Sequence, residues 1–371
     1  MSFFGVCEYY EGFDAEGFFA GVTGPGVEKA LGAPVVSEEQ FLSLLSPAAG
    51  EYLEEMAVRA HRATLRDFGR TVQLYTPMYL SNYCVNRCVY CGFNPAHNIG
   101  RKKLGPAEVE KEAAFIAATG LRHILVLTGE SREESPVEYI ADCVRILRKS
   151  FSSVSIEVYA LTGDEYETLI NAGVDGLTIY HEVYDREVYD RVHVAGPKKD
   201  YRFRLDAPER ALEKKMRSVN VGALFGLNRW EKEAFLLGLH AKYLQDKYPD
   251  AEISASVPRI RPQAGAFEPE FIVSDRDIVQ IILALRIFMP RLGITVSTRE
   301  NMKFREDLIP LGVTRMSAGS TTVVGGHTLA GSGPGAGAEQ FEISDTRSVE
   351  EIKNMLRAKG YQPVMKDWMG I

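Results

Sequence analysis

The 371-residue chain is predicted to be an α/β protein, a (β/α)8 barrel of TIM type with an N-terminal helical extension. From residue 71 onward, eight short runs rich in β-branched and apolar residues alternate with eight longer amphipathic stretches, the rhythm of repeated βα units. The runs are apolar enough for parallel strands buried on both faces. Before residue 70 the pattern is helical only.

Residues 1–70 form the extension, with helices expected at 37–45 and 47–68 and a weaker aromatic stretch at 3–19. The first strand is expected at 71–80. A helix follows at 106–119, opened by Pro106, whose missing N–H costs nothing in a first turn, and closed at Gly120. Strands at 123–127, 154–159, 176–181, 219–224, 253–258, 294–297 and 313–317 then alternate with helices at 137–149, 164–171, 208–217, 230–248, 275–289, 301–309 and 348–359. Gly173 and Gly360 stop the helices before them. Residues 71–320 make the barrel and 321–371 hold a glycine-rich stretch, the last helix and a tail. The stretch 324–338 is too glycine-rich for an element of its own, so a mobile loop acting as a lid is expected after the eighth strand. It lacks the Gly-Lys-Ser/Thr and following helix start of a phosphate cradle.

Composition excludes several classes. With 45% hydrophobic and 25% charged residues the chain is globular, and a net charge of −7 without a Lys/Arg block argues against nucleic acid as a partner. No apolar run approaches the ~18 residues that span a bilayer, so no membrane association is expected. Five cysteines, an odd number, without a charged-then-apolar leader, point to a reducing cytoplasm rather than a disulfide framework.

Three of those cysteines, Cys84, Cys88 and Cys91, fall within eight residues. Three thiolates hold three irons of a cubane and leave the fourth exposed, whereas a cluster that only carries electrons is normally closed by four. The competing reading is zinc, which wants four N or S ligands. His97 is available as a fourth, but no second cysteine pair exists. The tight C-x3-C-x2-C spacing winds one short loop around a compact object, which suits a 4Fe-4S cluster better than a single ion. Cys7 and Cys143 are remote, and Cys143 sits in an apolar-patterned helix where a buried thiol is expected.

The same spacing resembles that of the radical S-adenosylmethionine superfamily, in which the open iron chelates the amino and carboxylate groups of S-adenosyl-L-methionine. One electron then splits the sulfonium bond and yields a 5′-deoxyadenosyl radical, which implies a dry, oriented pocket at the strand C-termini. Tyr90 matches the aromatic position near the adenine. Leu127-Thr128-Gly129-Glu130 resembles the superfamily's Gly-Gly-Glu element, with Thr128 replacing the first glycine. Gly129, lacking Cβ, lets the backbone approach the cofactor amine, and the Glu130 carboxylate attracts the ammonium. Glu157 and Tyr159 share a strand face by period-two alternation, and an acid pointing into a barrel is costly unless paired. The resemblance implies that Glu157 accepts hydrogen bonds from the ribose. Tyr180-His181-Glu182 and Arg204 are similar to a biotin-synthase-like pattern, which implies Glu182 on the ribose or amine and Arg204 in a bidentate pair with the cofactor carboxylate. His181 and His193 are expected as barrel-rim hydrogen bonders.

Arg259, Arg261 and Arg299 reach the barrel mouth opposite the cysteines and require an anionic group, such as an amino-acid carboxylate, unless Arg259 and Arg261 pair with Glu268 or Glu270. Ser317 and Ser320 add hydroxyl donors. Several longer words narrow the resemblance: Tyr79-Leu80-Ser81-Asn82, Cys91-Gly92-Phe93, Arg101-Lys102, Pro258-Arg259-Ile260-Arg261-Pro262, Ser297-Thr298-Arg299-Glu300, Met316-Ser317-Ala318-Gly319-Ser320, Gln340-Phe341-Glu342-Ile343-Ser344-Asp345 and the tail 362–368. From residue 40 to the C-terminus they are similar to the radical aromatic-amino-acid lyases, best fitting the tyrosine lyase or 2-iminoacetate synthase (ThiH) family of thiamine synthesis. The resemblance implies cleavage of the Cα–Cβ bond of L-tyrosine to dehydroglycine (2-iminoacetate) and p-cresol, with Arg299 clamping the substrate carboxylate, helped by Ser317 and Tyr79. It further implies a thiazole synthase, ThiG, as partner, a flavodoxin- or ferredoxin-type electron donor and a cytoplasmic location. Tryptophan lyase of the same family is the rival reading. The hydrogenase-maturation tyrosine lyase appends a second-cluster domain, and no cysteine follows Cys143 here. His327 stands where the family has tyrosine, and Met365 where it has tryptophan.

Overall fold

The computed structural model describes residues 2–265, 267–328 and 339–366. Eight strands, β1 (Thr71–Ser81), β2 (His123–Thr128), β3 (Ser153–Glu157), β4 (Gly176–Glu182), β5 (Ser218–Ala223), β6 (Glu252–Ser256), β7 (Gly293–Val296) and β8 (Arg315–Ser317), run parallel in chain order. β1 pairs with both β8 and β2, so the sheet closes into the expected barrel. A ninth strand, β9 (Gln362–Val364), pairs with the start of β1 through Thr71↔Gln362. It was not expected from sequence: three residues show no period, and Pro363, which has no N–H to give, is tolerated only at such an edge.

The expected strands at 154–159 and 253–258 stop early, at Glu157 and Ser256, because the chain leaves the ladder to build the barrel mouth. The expected helix at 208–217 is Ala207–Glu213, and Lys215 adopts a φ of 67° that no α-helix continues through. Two short helices were missed, Arg186–Val192 and Tyr201–Leu205, both between β4 and β5. Capping boxes start several of the correctly expected helices, as at Thr162 with Glu165 and Ser348 with Glu351.

The extension is helical as expected, at Phe3–Glu11, Ala15–Gly21, Glu38–Leu44 and Leu53–Phe68, with a 3-10 turn at Pro47–Tyr52 and a further helix, Gly24–Gly32, that was not expected. It covers the barrel flank. Helix Leu53–Phe68 packs on Asp275–Phe288, and Phe41 stacks on Phe288 with centroids 4.2 Å apart. The N-terminal end of the barrel is filled by His123, whose ring nitrogens bond Gln73 at 2.8 Å and the Ser155 hydroxyl at 3.0 Å. Burial pushes that imidazole down to about 3, so it is neutral and fills the plug without a charge. No described helix is long and apolar enough to cross a membrane.

Candidate active site

A cavity of about 1440 Å³, including the space at its mouth, lies at the C-terminal ends of the strands. The C-terminal face is where the loops of a (β/α)8 barrel meet. Cys84, Cys88 and Cys91 line one wall, Cys88 buried and the other two half-buried. Their loop is laid against neighbouring backbone: Val85 N–H donates to Glu130 O at 2.8 Å, Arg87 N–H to Ala195 O at 2.8 Å and Val89 N–H to Val192 O at 3.0 Å. The Arg101 guanidinium ties three carbonyls together, those of Asn82, Phe93 and Asn94. Burial pushes the Cys88 thiol up to about 12 and raises Cys84.

Among the described residues no three His, Cys, Asp or Glu side chains are grouped to hold one metal ion. His97 Nδ1 bonds the Gly92 carbonyl at 3.1 Å, and its Nε2 faces Gly265, where a Cβ would stand 2.6 Å away. Cys7 and Cys143 are buried elsewhere, as expected for Cys143. Three soft donors around one wall fit a metal–sulfur cluster with one unprotected corner.

Gly129, at the end of β2, abuts the cysteine loop. A Cβ there would stand 2.3 Å from the Tyr83 carbonyl oxygen and 3.1 Å from Cys84 Cβ. Its lack of side chain thus serves the packing of that loop directly. Glu130 accepts a hydrogen bond from the Asn86 amide, whose oxygen accepts from Lys198 N–H at 2.9 Å, so this carboxylate also braces the loop. Thr128 lines the cavity with its Oγ1 buried and without a partner among the described residues.

Glu157 lines the cavity from the end of β3. Burial first, and then the charge of Glu182, raise its carboxyl from the usual range to about 7, with Arg299, Lys198 and Arg204 opposing. Tyr159 also lines the cavity, but its hydroxyl is committed to the Ser135 carbonyl at 2.7 Å, beyond the end of the strand face it was expected to share. Glu182 sits at a register shift with φ 76°, a costly conformation for a residue with a side chain. Its carboxylate accepts from Lys198 at 2.7 Å and lies 3.8 Å from Arg204. Arg204 spends its Nε on the Tyr180 carbonyl at 2.8 Å. Tyr90 lines the cavity and donates to His193 Nε2 at 2.7 Å, while His193 Nδ1 bonds Tyr189 O at 2.9 Å. His193 is therefore the rim hydrogen bonder expected. His181 is not: both ring nitrogens are buried without partners among the described residues, and the ring is held by stacking on Tyr189 at 4.9 Å and edge contact with Tyr201 at 4.4 Å.

Beyond the ends of β6 and β7 the three arginines separate, with Arg261 and Arg299 lining the cavity. Arg259 and Arg261 pair with neither Glu268 nor Glu270; both bond Glu300, Arg261 at 2.8 Å, and Arg259 also pairs with Asp275. Glu270 pairs with Arg191 instead. Arg299 makes no ion pair among the described residues and lies over the Phe341 ring, 3.4 Å from its centroid. Ser317, Ser320 and Tyr79 stand beside it in the wall. Ser320 Oγ is buried without a partner among the described residues, and Ser317 Oγ accepts from Thr298 N–H at 3.1 Å. Tyr79 donates to Gln340 Oε1 at 2.7 Å. Phe341 and Gln340 are held by the return of segment 339–347, where the fully buried Arg305 pairs with Asp345 and bonds the Ser317 carbonyl.

Sequence reasoning missed Lys198, a cavity cation carried by a loop without any periodic signal, and the floor tyrosines Tyr75 and Tyr180. Gln340 lay inside a quoted word but had no role assigned. The glycine-rich lid falls mainly on 329–338 and the end of the tail on 367–371, outside the described residues. At its described edge, His327 Nε2 bonds the Pro77 carbonyl at 2.8 Å, and the buried Glu112 carboxylate accepts from His327 and Thr328 N–H.

Comparison with known proteins follows this geometry. The Radical SAM superfamily model matches residues 78–237, and the Biotin and Thiamin Synthesis associated domain matches 256–362. The chain is 40% identical over 349 residues to 2-iminoacetate synthase of Escherichia coli K12, covering 94% of this chain and 92% of that protein. It superimposes on the FeFe-hydrogenase maturase HydG of Carboxydothermus hydrogenoformans with a TM-score of 0.84 at 29% identity, over 98% of this chain and 83% of that one. Methylornithine synthase shares the fold, with a TM-score of 0.72 at 21% identity over 91% of this chain and 97% of that one.

Proposed function

The chain belongs to the 2-iminoacetate synthase family of radical S-adenosylmethionine enzymes, and on that premise we propose that it cleaves the Cα–Cβ bond of free L-tyrosine to 2-iminoacetate and p-cresol for the thiazole of thiamine. Such enzymes work with a 4Fe-4S cluster and S-adenosyl-L-methionine, which when bound supply the one-electron chemistry that removes hydrogen from the substrate amine.

The roles divide by wall. Cys84, Cys88 and Cys91 hold the cluster and leave one corner for the cofactor. Thr128, Gly129 and Glu130 face the cofactor amine, Glu157 and Glu182 its ribose or amine, Arg204 its carboxylate and Tyr90 its adenine. Tyr159 supports this wall by packing, its hydroxyl being used inside the protein. Arg299, with Ser317 and Tyr79, clamps the substrate carboxylate.

The observation that carries the reading is the contrast among cavity guanidiniums. Arg261 and Arg204 have Glu300 and Glu182 beside them, while Arg299 has an aromatic face and no ion-paired acid among the described residues, Glu157 acting on it only across the cavity. A half-buried guanidinium that makes no ion pair among the described residues is available to a bound carboxylate through a charge-assisted pair. Fixing the carboxylate and not the side chain holds the amine at a set distance from the reacting carbon, and near-attack placement is the largest contribution a protein makes to hydrogen transfer. In the cell the product passes to a thiazole synthase of the ThiG type, and a flavodoxin- or ferredoxin-type donor in the cytoplasm supplies electrons.

The test is one anaerobic turnover of the reconstituted protein with S-adenosyl-L-methionine, reductant and a panel of amino acids. Formation of p-cresol and glyoxylate, the hydrolysis product of 2-iminoacetate, from tyrosine is expected. Indolic products from tryptophan without cresol would replace this reading with the tryptophan-lyase one.

A further inference from the structure

One side chain bridges the cysteine loop and β1 at the cavity. Gln340 comes from the segment that returns after the glycine-rich stretch, and its Nε2 lies 3.7 Å from Cys91 Sγ while its Oε1 accepts the Tyr79 hydroxyl at 2.7 Å. Its backbone is fixed as firmly as its amide. Gln340 N–H donates to Thr322 Oγ1 at 3.2 Å, and its carbonyl accepts Gly92 N–H at 3.2 Å. Gly92, between Cys91 and Phe93, is what permits that approach: a Cβ there would stand 2.5 Å from the Gln340 carbonyl oxygen and 2.9 Å from that of Glu339. The amide orientation follows from its partners. A phenol held protonated by burial donates to the amide oxygen, which turns the NH2 toward the sulfur.

We infer that Gln340 is a positioning residue that hydrogen-bonds the Cys91 thiolate and is locked in that pose by Tyr79, so that the substrate wall and the cluster share one amide. The inference rests on the reading of Cys91 as a cluster ligand. An N–H donor on a ligating sulfur stabilises the more negative, reduced cluster and raises its reduction potential, a property of outer partners rather than of ligands. Tyr79 sets the donor's direction, because an amide whose oxygen is held cannot rotate its nitrogen away from the sulfur. Gly92 and Thr322 serve the same end by placing the Gln340 backbone.

The experiment compares wild type, Gln340→Leu and Tyr79→Phe after anaerobic reconstitution, measuring iron per chain and the cluster midpoint potential by EPR-monitored titration without substrate. Gln340→Leu is expected to keep its iron and shift to a more negative potential. Tyr79→Phe is expected to shift the same way by less, since the donor remains but is no longer locked. A fully loaded Gln340→Leu with the wild-type midpoint overturns the inference. Should Gln340→Leu fail to take up iron, Tyr79→Phe decides: a negative shift supports the inference and an unmoved midpoint overturns it. A wild-type protein without a cubane signal would instead sink the proposed function, so the two failures are told apart.

Discussion

Replacing Glu157 with Gln should make the cofactor-free protein more stable above neutral pH and worse at holding S-adenosyl-L-methionine. Glu157 ends β3 at the cavity wall, where burial and the charge of Glu182 raise its carboxyl from 4.5 to about 7 against the pull of Arg299, Lys198 and Arg204. Below about pH 4.5 the carboxyl is protonated in both folded and unfolded chains and nothing is at stake. Between 4.5 and 7 the folded protein keeps a proton that the unfolded chain has lost, so stability falls as pH rises. Above 7 the full penalty is present. A gap of about 2.5 units at ~1.4 kcal/mol each comes to about 3 kcal/mol. Gln reproduces the neutral form. The difference in unfolding free energy between E157Q and wild type should therefore be near zero at pH 4.5 and approach ~3 kcal/mol at pH 8. With an unfolding entropy of roughly 2 cal/mol/K per residue, that is about 4 °C in Tm for a chain of this size. Paired thermal scans of the two proteins from pH 5 to 8 measure it, and Glu233, also raised to about 7, cancels in the difference. A stability difference that stays flat across the range would refute the argument that Glu157 is held at the cost of folding. The functional half is read by titration with S-adenosyl-L-methionine at pH 8, where losing charged acceptors for the ribose should cost about 1.5–3 kcal/mol, roughly 10- to 150-fold in Kd.

Arg299→Ala should leave S-adenosyl-L-methionine cleavage detectable while weakening tyrosine by about 3 kcal/mol, on the order of 100-fold, because a charge-assisted pair with the substrate carboxylate is lost; unaltered tyrosine affinity counts against the clamp. Cys88→Ala should abolish both deoxyadenosine and p-cresol formation, and any deoxyadenosine retained would show that this thiol is not a ligand. Gly129→Ala puts a methyl where only 2.3 Å separates it from the Tyr83 carbonyl oxygen, so the cysteine loop must shift. A cost of about 1–3 kcal/mol and reduced iron per chain are expected, and a fully loaded, equally stable variant would contradict that packing role.

Much of the architecture is carried by local signals. The barrel strands announce themselves as apolar runs, and the helices between them by caps such as Thr162 with Glu165 and stops such as Gly173. The cysteine spacing is equally local, because a loop of eight residues is enough to present three thiols. β9 escaped notice because three residues around a proline carry no period. Gly129 reads from sequence as a place that must lack Cβ, but the atom it avoids, the Tyr83 carbonyl, is identified only when the end of β2 meets the cysteine loop.

Charge pairing belongs wholly to the tertiary structure. Arg259, Arg261 and Arg299 look alike along the chain, and Glu300 is the neighbour of Arg299 in sequence, yet it turns to the other two and leaves Arg299 facing Phe341. Lys198 and Gln340 enter the cavity from loops that no periodicity describes. Residue type and spacing within a few positions determined the fold class and the three-cysteine loop, since backbone geometry repeats over that distance. Which cation has no ion pair among the described residues, and which amide reaches a sulfur, was decided by side chains meeting at the barrel mouth, at separations in sequence over which no periodic signal survives.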